Sequence, residues 1–351
     1  MMSVPFATLG SRRVSAEDSC YIVAEIGVNH NGDLGLAHRM IDAAKAAGAD
    51  AVKFQTFRTD DLVTAAAQKA TYQTETTGSG TQAEMLRRLE LPIEAFAELR
   101  SHCVAVGIDF MSTAFDSVSL EAVISLGPIC LKWPSGELNN IALLRQAARS
   151  QLPVMLSTGM GSLTEISVAV DQLATEGCKD IVILQCVSNY PASIEDQNLR
   201  VIPALSQVFG RPVGFSDHTA GPFAAIAARA LGMAVLEKHF TLDQRMEGPD
   251  HAASIEADQF AEMVRLIRAV EIGLGDGVKR AMPSEAGVRE VARKSLVFRQ
   301  SLPKGHVLTA DDVTAKRPGT GISPDRLDLF LGMPLIQAVK QDEMLVMAHI
   351  R

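Results

Sequence analysis

The sequence predicts an α/β fold: a (β/α)8 TIM barrel followed by a small, mostly-β C-terminal domain. Three observations carry that prediction. Short apolar runs alternate eight times with amphipathic ones, polar residues able to do chemistry stand at the end of every apolar run, and from Lys294 onward the texture changes to turns and short strands. A chain of 351 residues accommodates a barrel of roughly 250 residues and an appendage. An open dinucleotide-type sheet is disfavoured, because no Gly-x-Gly-x-x-Gly follows the first run.

Taken in order, the candidate strands are 21–24, 51–54, 109–111, 129–131, 154–156, 181–184, 213–215 and 235–236. Each is a short apolar run bounded by turn-forming or polar residues, as buried parallel strands are. Between them, 36–47, 93–106, 120–126, 141–150, 163–174 and 223–231 show helical periodicity, several of them closed by a glycine such as Gly48 or Gly107. A last helix follows Ile255. The charged stretch 276–293, with Pro283 near its middle, reads as a linker between a catalytic domain at 1–275 and a small domain at 294–351. That domain has few residues with which to build a core of its own, which predicts support from elsewhere.

Composition narrows the function. A formal net charge of -8 leaves no basic face for nucleic acid, so an anionic substrate must be met by a few local cations. Five cysteines without Cys-x-x-Cys spacing argue against a disulfide framework or a zinc finger and fit a reducing cytoplasm. Neither a signal peptide nor a membrane span is expected.

The strand ends carry, in order, Glu25, Lys53 with Gln55, Ser112 with Thr113, Lys132, Ser157, Gln185 with Ser188, Ser216 with His218, and Glu237 with His239. A closed barrel brings such residues to one mouth. His218 and His239 end neighbouring strands about 5 Å apart, close enough to share a divalent metal. Taken singly, each is more plainly a packed ring or a helix cap. Lys53 and Lys132, with Ser135, Ser157 and Ser216, suit a phosphate or carboxylate; the alternatives are ion pairs with Glu25 or Glu237, or a Schiff-base aldolase. Glu25 is a carboxylate at the end of an apolar strand and needs a partner. Glu137, in Trp133-Pro134-Ser135-Gly136-Glu137, stands where it can bind sugar hydroxyls or act as acid or base, or simply serve a helix N-terminus. His30 lies in a loop that already makes a good turn and cap.

The segments Ala24-Glu25-Ile26-Gly27-Val28-Asn29-His30-Asn31-Gly32, Lys53-Phe54-Gln55, Lys132-Trp133-Pro134-Ser135-Gly136-Glu137, Leu156-Ser157-Thr158-Gly159-Met160, Ser216-Asp217-His218, Glu237-Lys238-His239-Phe240 and Lys316-Arg317-Pro318-Gly319 together resemble the sialic acid synthase family over nearly the whole chain. The resemblance implies a TIM barrel joined to an antifreeze-like (SAF) domain and a domain-swapped, head-to-tail homodimer. It also implies condensation of phosphoenolpyruvate with N-acetylmannosamine or a related amino sugar, giving N-acetylneuraminate. By the same resemblance His218 and His239 would hold Mn2+ or Mg2+. Lys132, Ser135, Ser157, Ser188 and Ser216 would hold phosphate, and Lys53 with Thr113 the carboxylate. Gln55, Glu137, Tyr190 and Asp250 would meet the sugar, Arg317 of a second copy its N-acyl group, and Glu25 would handle protons or water.

The family pattern leaves Ser188 or Asn189 as the phosphate contact, and this chain has Ala114 and Trp133 where other residues are expected, changes read as bearing on pocket shape. A legionaminic acid or other nonulosonate synthase, a Schiff-base aldolase and a non-catalytic sugar-binding protein are the competing readings.

Overall fold

The computed structural model describes residues 4–350. It divides into two compact units, Met1–Gly275 and Asp276–Arg351. The first opens with an antiparallel hairpin, β1 (Phe6–Leu9) and β2 (Arg12–Ser15). Eight parallel strands follow: β3 (Tyr21–Gly27), β4 (Ala51–Thr56), β5 (Asp109–Ala114), β6 (Leu131–Trp133), β7 (Val154–Ser157), β8 (Ile181–Cys186), β9 (Val213–Asp217) and β10 (Val235–Thr241). Each pairs with the next, and β10 closes on β3 through Val235 opposite Tyr21 and His239 opposite Glu25. A two-residue strand, β11 (Ile255–Glu256), extends β10. The fold is thus the closed barrel that the alternation predicts.

Side chains alternate across each strand, and this sorts the sequence into two layers. Outward positions such as Ile22, Val52, Leu156, Phe215 and Leu236 pack with the helices in one large core. Inward positions near the strand starts, among them Val23, Ala51, Met111, Met155 and Val235, form a second core that also takes Ala7, Leu9 and Val14 of the hairpin. The hairpin therefore stops the amino end of the barrel with apolar side chains.

Further along the same strands the inward positions turn polar, and this is why the sequence reading ended its strands too early. It followed apolarity, whereas the ladder continues through Glu25, Lys53, Thr113, Lys132, Ser157, Ser216 and Glu237. The fourth strand is moreover Leu131–Trp133 rather than 129–131, because only those residues pair with Val154–Leu156. Alternation also removes two expected mouth residues. Ser112 exchanges a hydrogen bond with Thr56 at 2.7 Å, and Gln185 donates to the Gln197 carbonyl at 3.0 Å. Ala114 and Trp133 likewise pack in the outer core, so neither shapes the pocket directly.

Room inside the barrel runs out at Gly214. A Cβ there would lie 2.4 Å from Leu184 Cδ2 and 2.5 Å from the Val235 carbonyl oxygen. Backbone cannot yield as a side-chain tip does, so Gly214→Ala is expected to destabilise the barrel by about 1–3 kcal/mol or more. A reversible urea titration of the variant, read by far-ultraviolet dichroism, checks this, and an unchanged midpoint would refute it.

In the second unit β12 (Ser295–Phe298) pairs antiparallel with β13 (Val313–Lys316), with isolated bridges at Val297–Met344, Leu302–Val339 and Val307–Pro334. Its core gathers Leu296, Phe298, Leu308, Val313, Leu335 and Leu345, among others. The stretch read as a linker carries a helix, Ala286–Ala292, and its Glu290 carbonyl accepts from Gly319 N at 2.7 Å; the apolar period is too short to announce it. No helix among the described residues is long and apolar enough to cross a membrane.

Candidate active site

At the carboxyl end of the barrel lies a cavity of about 520 Å3. Glu25, Lys53, Gln55, Thr113, Lys132, Ser135, Ser157, Ser188, Tyr190, Ser216, His218, His239 and Asp250 all line it. Strand order explains the convergence: Gln55 stands opposite Thr113, Thr113 opposite Lys132, and Cys186 opposite Ser216, which in turn faces Glu237.

Glu237, a strand-end acid that the sequence offers as an ion-pair partner for the lysines, organises the charges. Its Oε1 lies 3.3 Å from Lys132 Nζ and accepts from Ser216 Oγ at 2.8 Å, while its Oε2 lies 3.7 Å from Lys53 Nζ. Burial works against its charge, but Lys132 and Lys53 overcome that and hold the carboxyl well below its ordinary value. Lys53 also meets Glu25 Oε2 at 2.9 Å and donates to Thr113 Oγ1 at 2.9 Å. Burial pushes the Glu25 carboxyl upward despite Lys53. Burial likewise lowers Lys132, whereas in Lys53 the pull of Glu237 and Glu25 outweighs burial and raises it. Two ammonium groups therefore face one firmly ionised carboxylate and one that resists ionisation. The surplus suits a bound anion.

The hydroxyls stand beside that surplus. Ser135 Oγ accepts from Gly159 N at 2.9 Å, and Ser157 Oγ is buried without a partner. A Cβ on Gly159 would sit 2.3 Å from Ser188 Oγ, 3.0 Å from Ser135 Oγ and 3.1 Å from Cys186 Sγ. Only glycine leaves this hollow open, and it is a cradle for a multiply hydrogen-bonded anion. Ser188 lines it, whereas Asn189 is exposed.

The imidazoles of His218 and His239 lie 5.5 Å apart, and Tyr190 stacks 4.2 Å from His218. His218 Nδ1 donates to the Val187 carbonyl at 2.7 Å, which fixes the ring and leaves Nε2 toward Ser216 Oγ at 3.4 Å. Burial opposes a proton on His218, but Cys186 and the Val187 carbonyl prevail and raise its affinity. Burial lowers His239 well below the ordinary value, so it stays neutral, and its buried Nδ1 has no partner. A neutral His239 with an unpartnered nitrogen, beside a His218 whose Nδ1 is fixed on a carbonyl and whose Nε2 turns to the cavity, fits a divalent ion. Among the described residues no set of three or more His, Cys, Asp and Glu is arranged for one, so the pair would leave the remaining ligand positions open, as catalytic sites do.

One expectation changes, while His30 and Arg317 lie in the loop and the small domain where they are expected. Glu137 does not line the cavity; its Oε2 accepts from Asn140 Nδ2 at 2.7 Å at the foot of the next helix, the plainer of its two readings. His30 is buried, its Nδ1 accepts from Gly32 N at 3.1 Å, and burial lowers it to about 4. Arg317 belongs to the second unit, where its Nε donates to the Ala292 carbonyl at 3.0 Å.

Against this geometry, residues 40–279 match the NeuB family and residues 293–351 the SAF domain. N,N'-diacetyllegionaminic acid synthase of Legionella pneumophila is 43% identical over 337 residues, covering 95% of each chain. N-acetylneuraminate-9-phosphate synthase of Homo sapiens is 36% identical over 334 residues, 95% of this chain and 93% of that one. Among solved structures, N-acetylneuraminic acid (sialic acid) synthetase of Leptospira borgpetersenii is 32% identical with a TM-score of 0.72, covering 82% of this chain and 96% of that one.

Proposed function

The chain belongs to the NeuB family and ends in a SAF domain, and from that premise we propose that it condenses phosphoenolpyruvate with an N-acylated amino sugar and water. The product is a nine-carbon 2-keto sugar acid, with inorganic phosphate released. N-acetylmannosamine or a diacetylated relative is the acceptor; the identity shared with a legionaminic acid synthase supports the latter. One observation carries the reading: two lysines, four serine hydroxyls and two imidazoles line a single cavity in a protein of net negative charge.

In this mechanism Lys53 and Thr113 take the carboxylate of the enol phosphate, and Lys132 with Ser135, Ser157, Ser188 and Ser216 take its phosphate. Gln55, Tyr190 and Asp250 hold the open-chain sugar, and Arg317 of a second copy in a homodimer meets its N-acyl group. His218 and His239 would hold a divalent ion, Mn2+ or Mg2+, which supplies Lewis acidity toward the aldehyde. The methylene carbon of the enol attacks the aldehyde carbon, the π electrons become the new carbon–carbon bond, and the former enol carbon is left electron-poor. Water adds there and gives a proton to the Glu25 carboxylate, which returns it to the new alkoxide. The C–O bond to phosphate in the tetrahedral adduct then breaks as its hydroxyl becomes the C=O, the hydroxyl proton passing to the departing phosphate; Lys132 and the serines receive the leaving charge.

Glu25 acts here as a base, so it must be ionised. Its carboxyl is raised by burial, and the rate is therefore expected to climb with pH along a limb lying above the ordinary carboxylate range. Glu25→Gln should remove that limb and most of the turnover. A wild-type profile flat down to pH 5 would contradict the assignment. The reading as a whole is tested by phosphate release from phosphoenolpyruvate with a panel of N-acyl amino sugars; release with none of them overturns it.

A further inference from the structure

Two short motifs at the barrel mouth, Ser216-Asp217-His218 and Glu237-Lys238-His239, share one plan. Their outer residues line the cavity, whereas Asp217 and Lys238 do not. Strand alternation turns the middle pair the other way, into the layer between strands and helices. There Phe215 stands two residues before Asp217, and Leu236 and Phe240 flank Lys238 at the same spacing, all three in the large outer core. A single ion pair interrupts this apolar column: Lys238 Nζ lies 2.8 Å from Asp217 Oδ2, with both side chains almost wholly out of water.

Stability does not account for the pair. Taking two charges out of water costs about what their attraction returns, and well-packed apolar residues serve a core as well or better. What apolar residues cannot do is hold backbone. Lys238 Nζ also donates to the Thr219 carbonyl at 2.8 Å, and Asp217 Oδ1 accepts from Thr219 N at 2.9 Å and from Thr219 Oγ1 at 2.7 Å. These bonds fall where the sheet stops supplying its own. Pairing between β9 and β10 ends at Asp217 opposite Lys238, one residue short of both imidazoles. His239 is still held from its other side, opposite Glu25 of β3, but His218 has left its strand. The turn that carries His218 is therefore tied to β10 by Lys238 and Asp217, and on the opposite flank by Ala192 N, which donates to the His218 carbonyl at 2.8 Å.

We infer that Asp217 and Lys238 are positioning residues: by tying Thr219 to β10 they set the separation of His218 and His239, and with it the affinity of that pair for a divalent ion, without touching the ion. The inference rests on the reading of the two imidazoles as ligands and adds to it the residues that preorganise them. Partners that orient a ligand from behind are typically worth about 10- to 100-fold in metal affinity.

The test is calorimetric titration with Mn2+ of the full chain carrying Asp217→Asn together with Lys238→Met. Removing both charges strands neither in the core, so the double variant should melt close to the wild type. Its Kd for Mn2+ is expected to rise about 10- to 100-fold, and the Mn2+ concentration that half-activates phosphate release should rise by the same factor. The KM for phosphoenolpyruvate at saturating Mn2+ should stay unmoved, because Lys53, Lys132 and the serines keep their places. A rise in both would mark a loosened barrel and count against positioning. An unchanged Kd in the folded double variant overturns the inference and leaves the ligand reading standing, whereas a wild type that binds no Mn2+ sinks both.

Thr219→Val provides a second variant whose folding is not in question, since it keeps the charge pair and the side-chain volume and removes one hydrogen bond to Asp217. It is expected to weaken Mn2+ binding by a few-fold with its melting temperature little changed. An affinity equal to that of the wild type would refute the inference as well.

Discussion

Lys132→Met is expected to lower kcat/KM for phosphoenolpyruvate by on the order of 10³ or more, because it removes the cation that receives the leaving phosphate in a site shielded from water. The same change leaves Glu237 with one distant lysine where it had two, and breaking a buried pair from one side typically costs about 3–5 kcal/mol. Loss of activity alone would therefore not separate chemistry from misfolding, but a paired change does. Lys132→Met combined with Glu237→Gln removes the charge on both sides, and it should recover much of the lost stability while remaining inactive. If the double variant regained turnover together with its melting temperature, Lys132 would be a structural cation and the anion site would have to be sought elsewhere. The amine of Lys132 is also the one that burial lowers, the condition a Schiff-base lysine needs. Borohydride in the presence of phosphoenolpyruvate or pyruvate should leave wild-type Lys132 unmodified by mass spectrometry; a trapped adduct would transfer the enzyme to the aldolase reading.

The second large effect concerns the imidazoles. His239→Ala or His218→Ala should abolish measurable turnover, a loss of at least about 10³-fold, with little change in melting temperature, since the aromatic contacts of these rings lie at the cavity surface rather than in either barrel core. Dialysis of wild-type protein against a strong chelator should reproduce the loss, and adding Mn2+ or Mg2+ should restore it. The histidine variants should not respond to added ion. Calorimetric titration with Mn2+ gives a readout free of turnover: binding by the wild type and none by His239→Ala is expected, and equal binding by both would take the ion away from this pair.

How much of this was legible beforehand depends on which force fixed each feature. Strands β3–β10 were legible because burial on both faces writes continuous apolar runs, and their polar ends were legible because such residues are costly inside a barrel without a task. What the sequence reading lost, it lost to tertiary closure. Glu237 looked like one strand-end acid among several until β10 closed on β9 and β3 and brought it to two lysines and a serine at once. Glu137 looked catalytic from its motif, but Asn140, three residues further along, claimed its carboxylate. The apolar cluster beside the cavity was illegible for a different reason: residues at 62, 85, 86 and 89 meet Val28 and Phe115 only through packing of two short helices, neither long enough to announce its buried face. The hairpin could have been found, since Leu9-Gly10-Ser11-Arg12 is a turn between two short strands, yet its alternation is brief and was outweighed by the stronger pattern that begins at Tyr21.

The hairpin that stops the amino end of the barrel bears on traffic as well as on stability. With Ala7, Leu9 and Val14 filling that end, the vessel has a single opening, and whatever enters must leave by the same door. On the proposed reading the donor, gripped by the strand-end lysines, is therefore expected to bind ahead of the sugar, an order that initial-rate and product-inhibition kinetics check.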